Sequence, residues 1–338
     1  MNQLRSSLKR SHALLSSLAL TAALGLPAVS QAQVVLTAND SLGTSSFNSA
    51  GGWSPAGVPT AGSTYSTMGY LLRSPTAAGN YTFAGDSLTV GGGSGGGTYS
   101  TSTANNNALI FKANNVNLTV NNLILDGSQI RDGLSDNNTV SLNGNLQVAA
   151  NGGAFMNQCL ITINSVISGS GNIYIGDNGN GSAGRATIFT SAANTFAGNI
   201  IFNNTHASAG YSRLTLAGGS LMNFMIGANG INNGISGIGT LTLDGSFKID
   251  LTGAATTIGD SWTLVDQSAA TVSYGSTFSV NGFTDLGGGL WETTVNGALY
   301  EYNTASGLLS VVPVPEPSSI ALIGMGIAGI IAGVRRKK

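Results

Sequence analysis

Through the middle of the chain one short unit keeps returning: an apolar residue, a Thr or Ser, and a second apolar residue. It reads Leu118-Thr119-Val120, Val140-Ser141-Leu142, Ile161-Thr162-Ile163, Ala186-Thr187-Ile188, Leu214-Thr215-Leu216 and Leu241-Thr242-Leu243, with first residues offset by 22, 21, 25, 28 and 27. Alternation with period two marks a strand with one buried face. Its return at a spacing in the twenties marks a solenoid, in which each coil buries its apolar side against neighbouring coils. Between the units lie clusters such as Leu125-Asp126-Gly127-Ser128, Asn143-Gly144-Asn145 and Ser168-Gly169-Ser170-Gly171-Asn172, whose residues supply the positive φ of tight corners. The pattern predicts an all-β fold, a parallel β-helix or β-solenoid of two or three short strands per coil over residues 101–244. An antiparallel β-sandwich of the same strands is the alternative.

The flanking stretches differ from this middle. Residues 33–100 carry Trp53, Tyr65, Tyr70, Tyr81 and Phe83 and finish in the run Gly91-Gly92-Gly93-Ser94-Gly95-Gly96-Gly97. Residues 245–312 carry Trp262, Tyr274, Trp291, Tyr300 and Tyr302 among alternating runs such as Ser261-Trp262-Thr263-Leu264-Val265. Both are expected to be β-rich caps, because a solenoid without them exposes an unpaired strand edge and an open core.

The two ends have a different character. Residues 1–32 place Arg5, Lys9 and Arg10 before an apolar stretch, then Ser30 and Ala32 at the small-residue positions of a secretory cleavage site. A signal helix cut after Ala32 is the expectation, delivered to the secretory translocon. At the other end Val314-Pro315-Glu316-Pro317 leads into the uncharged residues 318–334, with Ile320, Leu322, Ile323, Ile327, Ile330, Ile331 and Val334 as the apolar anchor. Arg335, Arg336, Lys337 and Lys338 close the chain as a cytoplasmic stop. Roughly 17 residues at about 1.5 Å each make a short transmembrane helix of about 25 Å. Gly324, Gly326 and Gly329 spell G-x-G-x-x-G, but no strand precedes them and no βαβ unit can follow, so a dinucleotide site is excluded there.

Residues 313–338, with Pro-Glu-Pro, short apolar helix and basic terminus in that order, resemble the PEP-CTERM sorting signal of bacterial envelope proteins. The resemblance implies recognition by a membrane-embedded exosortase, processing near Pro315-Glu316-Pro317, and delivery to the cell surface or extracellular matrix. A second stretch, Asn194-Thr195-Phe196-Ala197-Gly198-Asn199 with Leu214-Thr215-Leu216-Ala217-Gly218-Gly219-Ser220 beyond it, looks like the autotransporter-associated β-strand repeat of bacterial passenger domains. That family implies a right-handed parallel β-helix at the cell surface.

Charge narrows the function classes. Seven of the 13 Lys and Arg residues sit in the two ends, leaving Arg73, Lys112, Arg131, Arg185, Arg213 and Lys248 against 13 acids between residues 33 and 312, so 6 − 13 = −7. The expectation is that this region holds no basic cluster, which argues against nucleic acid as a partner. Charged residues make up only 8% of the chain and Gly 49 of its 338 residues, yet apolar residues are plentiful, so the composition points to a folded, export-adapted β protein rather than to disorder. Cys159 is the only cysteine and is expected to be a buried hydrophobe, His206 being far away in sequence.

Candidate chemistry is sparse. Glycoside hydrolysis needs two carboxylates across a cleft, for which Asp126, Asp132 and Asp136, with Arg131 among them, are the candidates. Asp126-Gly127 and Asp132-Gly133 also have ordinary turn chemistry, the preferred reading. Asp177-Asn178-Gly179-Asn180-Gly181 has the oxygen-rich look of a calcium loop, but matches neither of the usual spacings and is expected to be a polar corner. The expectation is therefore an exported structural or adhesive protein, with no catalytic site, metal or cofactor, and with extracellular polysaccharide as its candidate partner. A carbohydrate-active β-helix, a lyase or hydrolase, is the alternative.

Overall fold

The computed structural model describes residues 33–92, 107–134, 137–177, 184–202 and 212–314. These form 28 strands and no α-helix. The expected signal peptide and most of the sorting segment, with every candidate residue in them except Val314, lie outside the described residues.

The strands stack in register as coils with three faces. On the first face lie Gly79–Thr82, the starts of the long strands Val116–Asp126 and Thr139–Val148, then Leu160–Ile163, Ala186–Phe189, Arg213–Leu216, Thr240–Leu243 and Thr271–Tyr274, each parallel to the next. Eight strands at about 4.8 Å each rise about 34 Å. The second face uses Val34–Leu36, Thr64–Ser66, Ser87–Gly91, the far halves of the two long strands, and Val166–Gly169. The third runs through Leu72–Arg73, Ala108–Phe111, Ser128–Asp132, Gly153–Asn157, Ile173–Asp177, Ile200–Phe202 and Ile235–Gly237. Stacked strands are parallel throughout, as a solenoid requires and an antiparallel sandwich does not. The coils also extend past the alternating units, into the segments before residue 100 and after residue 245.

What shapes a coil can be seen at its corners. The long strand Thr139–Val148 turns from first face to second at Gly144, whose φ is +99°, and Val166–Gly169 ends at Gly169 with φ +96°. A Cβ on either would collide with a backbone carbonyl of the coil beneath, that of Val120 or Val148 respectively. Only glycine lets these corners stack at strand spacing.

Inside, the coils are filled by aliphatic and aromatic columns. Val116, Leu118, Leu142, Ile161 and Ile163 on the first face, with Ile130 and Phe155 on the third, are essentially inaccessible to solvent. Each such side chain contributes about 1.5–3 kcal/mol on removal from water. One alternating unit departs from expectation. Thr187 pairs with Ile161 and Leu214 and points inward, fully buried, while Ile188 points out. The reason is Phe189, which enters the core two positions along and meets Phe155 edge-on at 5.8 Å, and Asn157, whose Nδ2 donates to the Thr187 hydroxyl at 2.7 Å.

The second face is interrupted between Val166–Gly169 and Leu221–Met225, where residues 193–197 form no strand. Asn194 fills the gap: its Oδ1 accepts from the Ile167 N–H at 2.8 Å, and its Nδ2 donates to the Leu221 carbonyl at 3.0 Å. The side-chain amide thus does the work of one peptide group in the ladder. Phe196 is buried beside it.

Both ends carry aromatic plugs. Phe47, Trp53, Tyr65 and Phe83 pack with ring centroids 5.0–6.4 Å apart. At the far end five antiparallel strands run in the order Ser261–Thr263, Leu308–Val312, Ala298–Asn303, Leu290–Val295, Thr284–Gly287. Their Tyr302 joins Phe247 and Tyr274 of the coils, the two phenols 2.9 Å apart.

Candidate functional surfaces

The alternation on the first face leaves an outer column of small polar side chains. Asn80, Asn117, Ser141, Thr162, Thr215, Thr242 and Ser273 follow one another in register, broken only by Ile188. Neighbours bond along the column: Asn117 Nδ2 to Asn80 Oδ1 at 2.7 Å, and Ser141 Oγ to Asn117 Oδ1 at 2.6 Å. A second column does the same, with Asn164 Nδ2 donating to Asn143 and Thr190 Oγ1 to Asn164. The result is a flat array of amides and hydroxyls at strand spacing, half-exposed to water, with Arg213 on the same outer side as Thr215. Aromatic rings are not part of it. Trp53, Trp262, Tyr65, Tyr300 and Tyr302 are all buried in the core, so the stacking platforms that sugar binding often uses are missing from their positions.

The carboxylate candidates do not converge. Asp126 ends Val116–Asp126 and accepts from Asn151 Nδ2 at 2.7 Å, whereas Asp132 ends the next strand, Ser128–Asp132. A strand of that length separates them by on the order of 15 Å, beyond the reach of a glycosidase pair. Asp132 is fully buried. Burial pushes its carboxyl above the usual range, opposed by the N–H groups of Gln158 and Leu134 and by the Cys159 thiol. Cys159 is buried, and desolvation, followed by the Asp132 charge, raises its thiol far from reactivity. Asp136 and His206 lie outside the described residues. Of the oxygen-rich corner only Asp177 is described; it is buried and paired with Arg185 at 3.2 Å.

A shallow groove of ≈ 550 Å³ opens where the second face meets the terminal sheet, lined by Lys248, Asp250, Thr252, Asn281, Phe283 and Asn296 among others. Its one carboxylate, Asp250, is held below the usual range by hydrogen bonds from Thr252. A single ionised acid does not supply the pair of carboxylates that glycoside hydrolysis needs.

The third face holds what the sequence hid. Arg73, Lys112 and Arg131 come from three successive coils: Arg73 is paired with Ile110, Ile110 with Arg131, and Lys112 follows Ile110 by two positions on the same side. Half of the six cations of residues 33–312 thus meet in one place, correcting the expectation that this region has no basic cluster. Burial lowers the Lys112 ammonium from its usual range, and the charges of Arg73 and Arg131 lower it further. The signal was not readable because third-face strands such as Ser128–Asp132 and Gly153–Asn157 are buried on both sides and show no alternation.

Among known families, the PEP-CTERM protein-sorting motif matches residues 313–337. The match begins directly after the last strand, Leu308–Val312. Searches of curated proteins and of solved structures find no match to the chain. The motif implies an exported protein sorted to the cell surface by an exosortase. The resemblance of residues 194–220 to the autotransporter-associated repeat is matched by no family; Asn194 and Phe196 there have the structural work described above.

Proposed function

We propose that the mature protein is a non-catalytic, right-handed β-solenoid of the bacterial surface or matrix, which adheres to extracellular polysaccharide through its first face. The observation that carries this is the conjunction of a sorting motif at 313–337 with a stack of coils whose exposed columns are Asn, Ser and Thr. Amide and hydroxyl rows at about 4.8 Å spacing offer many donors and acceptors to sugar hydroxyls, each weak and collectively additive. The right hand follows the strong preference of parallel crossovers.

In this reading residues 1–32 are removed during translocation, and residues 318–334 hold the precursor in the membrane with Arg335, Arg336, Lys337 and Lys338 in the cytoplasm. Exosortase processing near Pro315-Glu316-Pro317 then releases the solenoid. The test is to follow wild type and Glu316→Ala in a host with an exosortase. Wild-type surface material should end near residue 317 by mass spectrometry and co-purify with polysaccharide, while the variant stays in the membrane fraction. Surface protein that still carries Lys338 would reject the processing step. Depolymerisation of the polysaccharide by purified protein would reject the non-catalytic assignment.

A further inference from the structure

From the third-face cluster we infer that Arg73, Lys112 and Arg131 form an oxyanion site, with Arg131 as its floor and Arg73 and Lys112 as its rim, that takes the carboxylate or sulfate groups of an acidic polysaccharide. The arrangement is set by register. Arg73 and Arg131 flank Ile110 on adjacent strands, so their backbones lie about 10 Å apart on one face, and Lys112 lies two positions further along the segment between them. The Lys112 ammonium rests over Gly133, where a Cβ would come within 2.8 Å of Nζ. Arg73 is aimed by its Nε, which donates to the Asp40 carbonyl at 2.8 Å.

Two buried carboxylates stand near this cluster and offset part of its charge: Asp40, whose Oδ2 accepts from the Arg73 backbone N–H at 2.8 Å, and Asp132, whose charge acts on Lys112 and Arg131. Among the described residues none of the three cations is ion-paired, in contrast to Arg185 with Asp177. The carboxylate next in sequence, Asp132, lies on the opposite side of its strand and accepts from the N–H groups of Leu134 and Gln158. Arg131 is only 4% exposed, and its Nε has no hydrogen-bond partner. A buried guanidinium donor left open is costly, so a rotation of the Arg131 side chain that brings it to an oxyanion held at the rim is favoured. Repulsion among the three cations acts in the same direction, and burial strengthens both effects. Two guanidinium forks match the paired oxygens of a carboxylate or sulfate, while Lys112 supplies a mobile point charge.

The polysaccharide half of this inference rests on the matrix reading above; the oxyanion half does not. The experiment is calorimetric titration of the full-length chain in detergent with inorganic sulfate, with polygalacturonate, and with neutral dextran. Sulfate and polygalacturonate should bind, and Lys112→Gln and Arg131→Gln should each weaken them by about tenfold or more. Lys248→Gln, an exposed lysine of the second face, should change neither. Circular dichroism checks that the variants fold, and Lys112, being half-exposed, keeps the test open if Arg131→Gln does not. Sulfate binding without polygalacturonate binding would establish the site and remove the glycan assignment. Polygalacturonate binding that is equal in Lys112→Gln and wild type would overturn the site and leave surface adhesion standing. No binding of either anion at about 10 mM, weaker than a few kcal/mol, would overturn the inference as a whole.

Discussion

The first and third faces are built from the same parallel ladder, yet one alternates and the other does not. On the first face Leu118, Leu142 and Ile163 point in while Thr119, Asn143 and Asn164 point out to water. On the third, Ile130 and Phe155 point in, but Gln129, Arg131, Ala154 and Met156 on the outer side are buried as well. The outer side of a solenoid is therefore free to diverge from face to face, since the ladder and the inner column already hold the coil. The first face uses that freedom for a uniform polar lattice. The third uses it for a concentration of charge.

The sharpest way to break the comparison is from inside. Phe155 is fully buried, packed against Phe189, and belongs to both the third-face ladder and the common core. Phe155→Ala should cost about 3–5 kcal/mol. Denaturant unfolding of the purified protein measures it. A loss below about 1 kcal/mol would mean that the third face is not part of the shared core.

Next comes the coil whose second-face strand is missing. Asn194→Ala strands the buried Ile167 N–H, worth about 1–3 kcal/mol, and the part-buried Leu221 carbonyl, worth about 1 kcal/mol, so a total loss of about 2–4 kcal/mol is expected. Asn194→Asp keeps the acceptor for Ile167 but removes the donor to Leu221, and so separates the two halves. Hydrogen exchange should locate the weakening at the second face, near Ile167 and Leu221, and leave the third-face ladder protected.

How much of this was readable from sequence differs by face for a physical reason. The first face was legible because its outer side is wet: solvent enforces period two, and the Thr and Ser of units such as Ile161-Thr162-Ile163 mark the register. Even so, Ala186-Thr187-Ile188 misled, because a buried hydroxyl satisfied by Asn157 is indistinguishable in sequence from an exposed one. The third face was opaque because Gly153–Asn157 has no polar side to count. Without its register, Arg73, Lys112 and Arg131 are residues 39 and 19 apart, and nothing brings them together. The sorting tail was readable in full at the level of the motif, since its recognition depends on local order along the chain rather than on folding.

A pH series sharpens the contrast between an occupied and an open charge. Burial raises the Asp132 carboxyl, so the folded protein holds that proton more tightly than the unfolded chain. Its contribution to stability is fully present below the unfolded carboxylate range, about pH 4, and is lost as pH climbs through the raised native value. Asp132→Asn has no such proton. The stability of wild type relative to Asp132→Asn should therefore fall as pH rises from about 4 and level off above the native value. Only this slope is read, because the amide also mismatches one of the two N–H donors, from Leu134 and Gln158, at every pH. A flat difference would mean that Asp132 is not buried as described.

The smallest effect on stability belongs to the surface on which the functional reading depends. Ser141→Ala removes a half-exposed bond to Asn117 Oδ1, and water can replace it, so the cost should stay below about 1 kcal/mol. Retention on the polysaccharide is a different matter. If the first face adheres through many weak contacts, one deletion changes little, and the combined replacement of Ser141, Thr162, Thr215 and Thr242 by Val should abolish retention while the melting temperature stays within a few degrees. At the three Thr positions valine keeps the size and β-branching that strands favour and exchanges each hydroxyl for a methyl group, so the fold is the control within the same variant. Unchanged retention would move adhesion off the first face, leaving the cation cluster of the third as the surface to account for it.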